Sequence, residues 1–169
     1  MDKKSIILIG MPAAGKSTVG VILAKLIGYD FVDTDLLIQK SEGKRLEEII
    51  RERGVDGFIK VEEAVCCGYV PEIPTVIATG GSVVYGAKAM QHFREMGTLV
   101  YLDLGFEELQ KRLHNIQQRG VVLREGQTLR DLYDERTILY NKYADIVIEE
   151  KDKGIEETVR EIVGKMVHE

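Results

Sequence analysis

Gly10-Met11-Pro12-Ala13-Ala14-Gly15-Lys16-Ser17-Thr18 is the stretch from which the rest of the chain is read. It follows the apolar run Ile6-Ile7-Leu8-Ile9 and opens a helical pattern at Val19, Ile22, Leu23 and Leu26. Buried strand, glycine-containing loop and helix, in that order, form the setting in which G-x-x-x-x-G-K-[ST] binds phosphate. Gly10 and Gly15 let the backbone turn its amides inward, beside the positive end of a helix. Lys16 is placed to reach the β- and γ-phosphates, and the Ser17 hydroxyl to ligand the Mg²⁺ that bridges them. The motif implies a bound nucleoside triphosphate.

The remaining composition narrows the class. A chain of 169 residues is one domain by the usual prior, long enough for a sheet covered on both faces. Its 44% hydrophobic and 30% charged residues are ordinary for a globular protein. A formal charge of −5 argues against nucleic acid as a partner, since that favours a basic surface. No apolar run approaches membrane-spanning length, and the four residues before Gly10 are too few for a signal peptide. No membrane partner is expected, and a monomer in the cytoplasm is. The adjacent Cys66 and Cys67 are unsuited to an ordinary disulfide and lack companions for a metal site.

Short apolar segments alternate with helical periods along the chain. Phe31 to Asp35 reads as a strand ending in two carboxylates, and Leu36 to Lys40 starts a helix that Ser41-Glu42-Gly43 ends. Leu46, Ile49 and Ile50 sit at helical spacing up to Gly54, and a further helix runs from about Gly57 to Cys67. Thr75 to Thr79 and Thr98 to Leu102 read as buried strands, and Asp145 to Glu149 as the last one. Thr128 and Asp131 have the spacing of a capping box ahead of a helix reaching Tyr140. Residues 117–127 have no clean period and carry Arg119, Arg124 and two glycines. Five strands alternating with helices predict an α/β fold, a parallel sheet with helices on both faces.

Ligands of such sheets sit beyond the carboxyl ends of the strands. That directs attention to the phosphate loop, to Asp33 and Asp35, and to Gly80-Gly81-Ser82. Asp33 and Asp35 close their strand, and they are assigned different tasks, one toward a metal and the other toward an acceptor. Paired glycines after a strand let a ligand approach the backbone closely.

Taken together, these residues resemble the shikimate kinase family over almost the whole length. The shared features are the phosphate loop, Asp33-x-Asp35, Phe58-x-x-x-Glu62, Thr79-Gly80-Gly81, Arg112, Arg119 and Arg136-Thr137-Ile138-Leu139-Tyr140. The resemblance implies a nucleoside-monophosphate-kinase-like sheet in the order 2-3-1-4-5. It also implies an acceptor-binding helical region at about 34–62 and a lid at about 117–127. It implies Mg²⁺-ATP as donor and the 3-hydroxyl of shikimate as acceptor.

Carried over by position, Gly10, Ala13, Ala14, Gly15, Lys16, Ser17 and Thr18 bind the nucleotide phosphates, with Arg112 beside the adenine. Ser17 and Asp33 would hold the metal. Lys16, Asp35 and Arg119 would be catalytic, and Arg136 would pair with the acceptor's carboxylate. Ile59, Gly80, Gly81 and Ser82 would line the acceptor pocket. Five positions depart from the family pattern. Ala13 replaces an inner glycine, acceptable if its φ is negative. Gly120 and Ile138 replace prolines, and Ile59 stands where the family has an acceptor-gripping arginine. Ser82 replaces a third glycine, and Lys60 is the remaining cation beside Ile59. The acceptor therefore stays open among shikimate, another polyol, a sugar acid and a hydroxylated amino acid. A nucleotide-dependent switch without turnover is the other class.

Overall fold

The apolar run before the phosphate loop becomes the central strand of the sheet. The structure, a computed structural model, describes residues 4–113, 121 and 123–167. Strand β1 (Ser5–Ile9) is buried throughout, flanked by β3 (Thr75–Ala78) and β4 (Gly97–Asp103). The outer strands are β2 (Asp30–Asp33), beside β3, and β5 (Ile146–Glu149), beside β4. All pairs are parallel, in the order β2-β3-β1-β4-β5, as the family resemblance implies. Register places Leu8 opposite both Ala78 and Val100, so β1 and β3 end side by side while β4 runs on to Asp103.

Helix α1 (Lys16–Ile27) leaves the loop with Val19, Leu23 and Ala24 buried. It is followed by α2 (Thr34–Glu42) and α3 (Leu46–Gly68). After β3 come a 3₁₀ turn (Val83–Tyr85) and α4 (Ala87–Met96). Helices α5 (Phe106–Arg112), α6 (Leu129–Tyr143) and α7 (Ile155–Val167) complete the described layers. Parallel strands buried on both faces need continuous apolar runs, which β1 supplies. A fully buried Ile or Leu contributes about 1.5–3 kcal/mol relative to exposure, and Ile6, Ile7, Leu8 and Ile9 are all at 0% exposure. Among the described residues no helix is long and apolar enough to cross a membrane.

Two local expectations meet the structure differently. Asp35 does not lie on a strand end. Asp33 closes β2 and caps α2, its Oδ1 accepting the Asp35 amide at 2.9 Å, and this draws Asp35 into the first helical turn. Ala13 has φ +66°, not the negative value that would make its replacement of glycine costless. The helical segments that meet at Gly54 are interrupted there, as expected, by its non-helical φ of 69° and ψ of −177°, so α3 is two helices joined at a kink. The Thr128–Asp131 capping box forms as expected. Arg119 and Gly120 lie outside the described residues, as does part of the expected lid.

Candidate functional site

The phosphate loop is built from the backbone outward. Gly10 has φ +150°, and a Cβ there would lie 2.8 Å from the Leu102 carbonyl oxygen of β4, so a larger residue would push two strands apart. The Ala14 amide donates to the Met11 carbonyl at 3.1 Å, which closes the turn. Lys16, only 7% exposed, curls back so that Nζ donates to the carbonyls of Gly10 (2.8 Å) and Met11 (2.7 Å). Burial lowers its pKa from 10.5 to about 8; the Asp35 carboxylate opposes that shift and Arg136 adds to it.

Ser17 and Asp33 meet where the loop enters α1. The Ser17 hydroxyl donates to Asp33 Oδ2 at 2.7 Å, while Asp33 Oδ1 is occupied by the α2 cap. Among the described residues there is no cluster of three His, Cys, Asp or Glu able to hold a metal by itself. A hydroxyl and one carboxylate suit Mg²⁺, which takes few protein oxygens and fills its octahedron with water and phosphate.

Behind the loop lies a cavity of about 290 Å³ lined by Lys16, Asp35, Phe58, Glu62, Ser82 and Arg136. Gly80 is its pivot. A Cβ at Gly80 would stand 2.7 Å from Glu62 Oε2 and 2.9 Å from Asp35 Oδ1, so both carboxylates converge on bare backbone. Burial raises Asp35 from 3.8 to about 6, helped by the negative charge of Asp33 and opposed by Lys16. Glu62, 1% exposed, is raised from 4.5 to about 7, chiefly by burial. The hydroxyl of Ser82 donates to its Oε1 at 2.5 Å, and its Oε2 has no partner among the described residues. Arg136 is 3% exposed, stacks over the Tyr85 ring at 5.5 Å, and has no partner for Nε among the described residues.

Two carboxylates and two cations thus share a small enclosed space next to the phosphate loop. The loop residues, Asp33, Asp35, Gly80, Gly81, Ser82 and Arg136 are brought together as the sequence suggests. Ile59 is not in that cavity; it lines a narrow extension of about 10 Å³ behind Arg136, with Ser82, Tyr85 and Arg124. Lys60 opens instead onto the groove between α2 and α3, so it does not stand in for an arginine at Ile59. On the other side of the loop, Arg112 Nη1 donates to the Ala13 carbonyl at 3.1 Å and its Nε to Glu108 at 3.1 Å. It borders a separate cavity of about 580 Å³ with Phe106, Lys111 and Lys153.

Such a combination of phosphate loop, paired carboxylates and buried arginine has close parallels. The shikimate kinase family model matches residues 12–167. The chain belongs to the shikimate kinase family. A shikimate kinase of Persephonella marina is 32% identical over 96% of this chain and 99% of its own length. That of Aquifex aeolicus is 34% identical, covering 94% of this chain and 93% of its own. The solved shikimate kinase of Acinetobacter baumannii in complex with shikimate superposes with TM-score 0.89 at 30% identity, over 98% of this chain and 93% of that one.

Within this member of the family, sequence reading missed Glu62 as a lining residue. Its signal was available, since Glu62 follows Phe58 by four positions and so shares the buried face of α3. Tyr140 was also missed as a brace. Its hydroxyl donates to the Gly81 carbonyl at 2.6 Å and lies 3.7 Å from the Met11 sulfur, joining α6 to both sides of the cavity.

Proposed function

We propose that this chain transfers the γ-phosphoryl group of ATP to the 3-hydroxyl of shikimate, forming shikimate 3-phosphate. The observation that carries this reading is the cavity behind the phosphate loop. It presents carboxylates that read hydroxyls, Asp35 and Glu62, together with a buried cation that reads a carboxylate, Arg136. Shikimate kinases related over nearly the full length, one solved with shikimate, support the same acceptor.

In this reading the loop amides and Lys16 hold the donor phosphates, Lys16 exchanging its two carbonyl partners for phosphate oxygens. Arg112 borders the nucleotide and Arg119 adds positive charge near the transferring group. Asp35, with a pKa of about 6, is ionised at neutral pH and accepts the proton of the attacking hydroxyl. Arg136 orients the acceptor through its carboxylate, so that the hydroxyl faces the phosphate in line. Ser17 and Asp33 would hold Mg²⁺, which when bound offsets charge on the β- and γ-phosphates. Enclosure by Phe58 and Ser82 limits competing water.

The test is a coupled ADP-release assay with shikimate and a panel of polyols, sugar acids and hydroxylated amino acids, with the product identified by mass and NMR. Shikimate-dependent ADP release and a 3-phosphate product are expected. ATP turnover indifferent to any acceptor, or a clear preference for another member of the panel, would refute the reading.

A further inference from the structure

Charge is unevenly matched around the acceptor cavity. Asp35 and Glu62 face Arg136 and Lys16, but Lys16 is committed to the phosphate loop. An acidic acceptor brings a third negative charge into this enclosed space. Among the described residues Arg136 is then the single cation left for it within the cavity. Ile59 offers no donor, and Lys60 opens onto a different groove.

One further arginine borders the adjoining space. Arg124 lines the narrow extension beside Arg136, Ile59, Ser82 and Tyr85. Its backbone is held there by Gln127. The Gln127 amide donates to the Arg124 carbonyl at 3.0 Å, and the Arg124 amide donates to Gln127 Oε1 at 3.1 Å. Gln127 Nε2 in turn donates to Glu135 at 3.1 Å, immediately before Arg136 on α6. The Arg124 side chain pairs with Asp56 on α3 at 2.9 Å, three residues before Ile59. That pair is exposed, at 50% for Arg124 and 74% for Asp56. Exposed pairs are weak, so Asp56 steers the guanidinium without holding it against a better partner. The buried Nε of Arg136, without a partner among the described residues, marks where an anion would be received.

We propose that Arg124 is a substrate-binding residue, and that the acceptor's carboxylate is held between Arg124 and Arg136. The second guanidinium reaches the pocket from the loop at 123–128, while position 59 on α3 is apolar. This rests on the reading that the acceptor is a hydroxy acid such as shikimate. An arginine paired to a carboxylate makes charge-assisted, often bidentate bonds. Removing one should raise KM for the acceptor by about 10- to 100-fold, since a hydrogen bond to a charged group is worth that much.

The experiment is steady-state kinetics on the wild type, Arg124→Gln and Arg124→Lys with shikimate and with its methyl ester, which keeps the hydroxyls but not the charge. Asp56→Asn serves as a control for the steering pair. Arg124→Gln should raise KM for shikimate by the stated factor, leave KM for ATP within about 2-fold, and barely change the already poor use of the ester. Arg124→Lys should recover part of the loss, and Asp56→Asn should leave KM for shikimate unchanged or lower. Equal losses on shikimate and ester, or none on either, would overturn the proposal while leaving shikimate as the acceptor. If the wild type uses a different hydroxy acid, the acceptor assignment falls, and the same comparison on that acid and its ester decides the role of Arg124. A preference for an uncharged polyol would overturn both.

Discussion

Replacing Glu62 by glutamine isolates the cost of the cavity's deepest carboxylate. The side chain is 1% exposed, and burial raises its pKa from 4.5 to about 7. Between those values the folded protein keeps a proton that the unfolded chain has released. The resulting contribution to stability is fully present below pH 4.5 and is lost as pH rises through 7. At about 1.4 kcal/mol per pKa unit, the charged form costs the fold ~3 kcal/mol at pH 8. Glutamine keeps the shape, its oxygen still accepts the Ser82 hydroxyl, and its amide can donate toward Asp35. Glu62→Gln is therefore expected to be more stable than the wild type at pH 8 by up to ~3 kcal/mol, a gap closing to within ~1 kcal/mol at pH 5. Urea unfolding of the ligand-free proteins at pH 5, 6, 7 and 8 measures this. A difference that does not change with pH, or a variant less stable at pH 8, would refute the argument.

Three further outcomes are expected. Lys16→Met should melt within a few degrees of the wild type, because losing a desolvated charge offsets losing its two carbonyl partners. Its single-turnover rate should fall by about 10²–10³ or more, the scale of losing a preorganised charge at the reacting group. Ala13→Gly should gain up to about 1 kcal/mol in chemical denaturation, since relief of the +66° φ outweighs the added freedom of the unfolded chain. Because Asp35 works ionised and is raised to about 6, kcat/KM for the acceptor should fall about tenfold per pH unit below that value. Asp35→Asn should flatten this limb and lower the rate by about 10²–10⁴.

What the sequence revealed depended on how local the signal was. The phosphate loop and its flanking elements are contiguous, so strand, turn and helix could be read from the single stretch Ile6 to Leu26. The capping box at Thr128 and Asp131 is equally local and forms as read. Asp35 was misplaced because one hydrogen bond, from its amide to Asp33, ends the strand and starts a helix two residues earlier than apolar periodicity suggests. Ala13 was misjudged because loop closure, and not side-chain preference, sets its φ. Arg112, Arg124 and Arg136 are each unremarkable in sequence among the chain's Lys and Arg residues, since tertiary folding alone brings them to the loop and the cavity. Family resemblance pointed to the first and last. Arg124, lying outside that pattern, needed coordinates.

Helix α6 carries Arg136 and Tyr140 one turn apart, and they serve opposite halves of the site. Arg136 faces the acceptor cavity, while Tyr140 packs on Tyr101 of β4 at 5.0 Å and grips Gly81 beside Met11 of the phosphate loop. A substitution that shifted this helix to suit a new acceptor would drag the donor loop with it. Helix α3 carries no such obligation, because Ile59 touches only the far end of the cavity and Ser82 reaches toward Glu62 of that helix. Both of these positions depart from the family pattern. Substitutions that suit a new acceptor have their freedom at Ile59 of α3 and at Ser82, with α6 acting as the keel that must stay put.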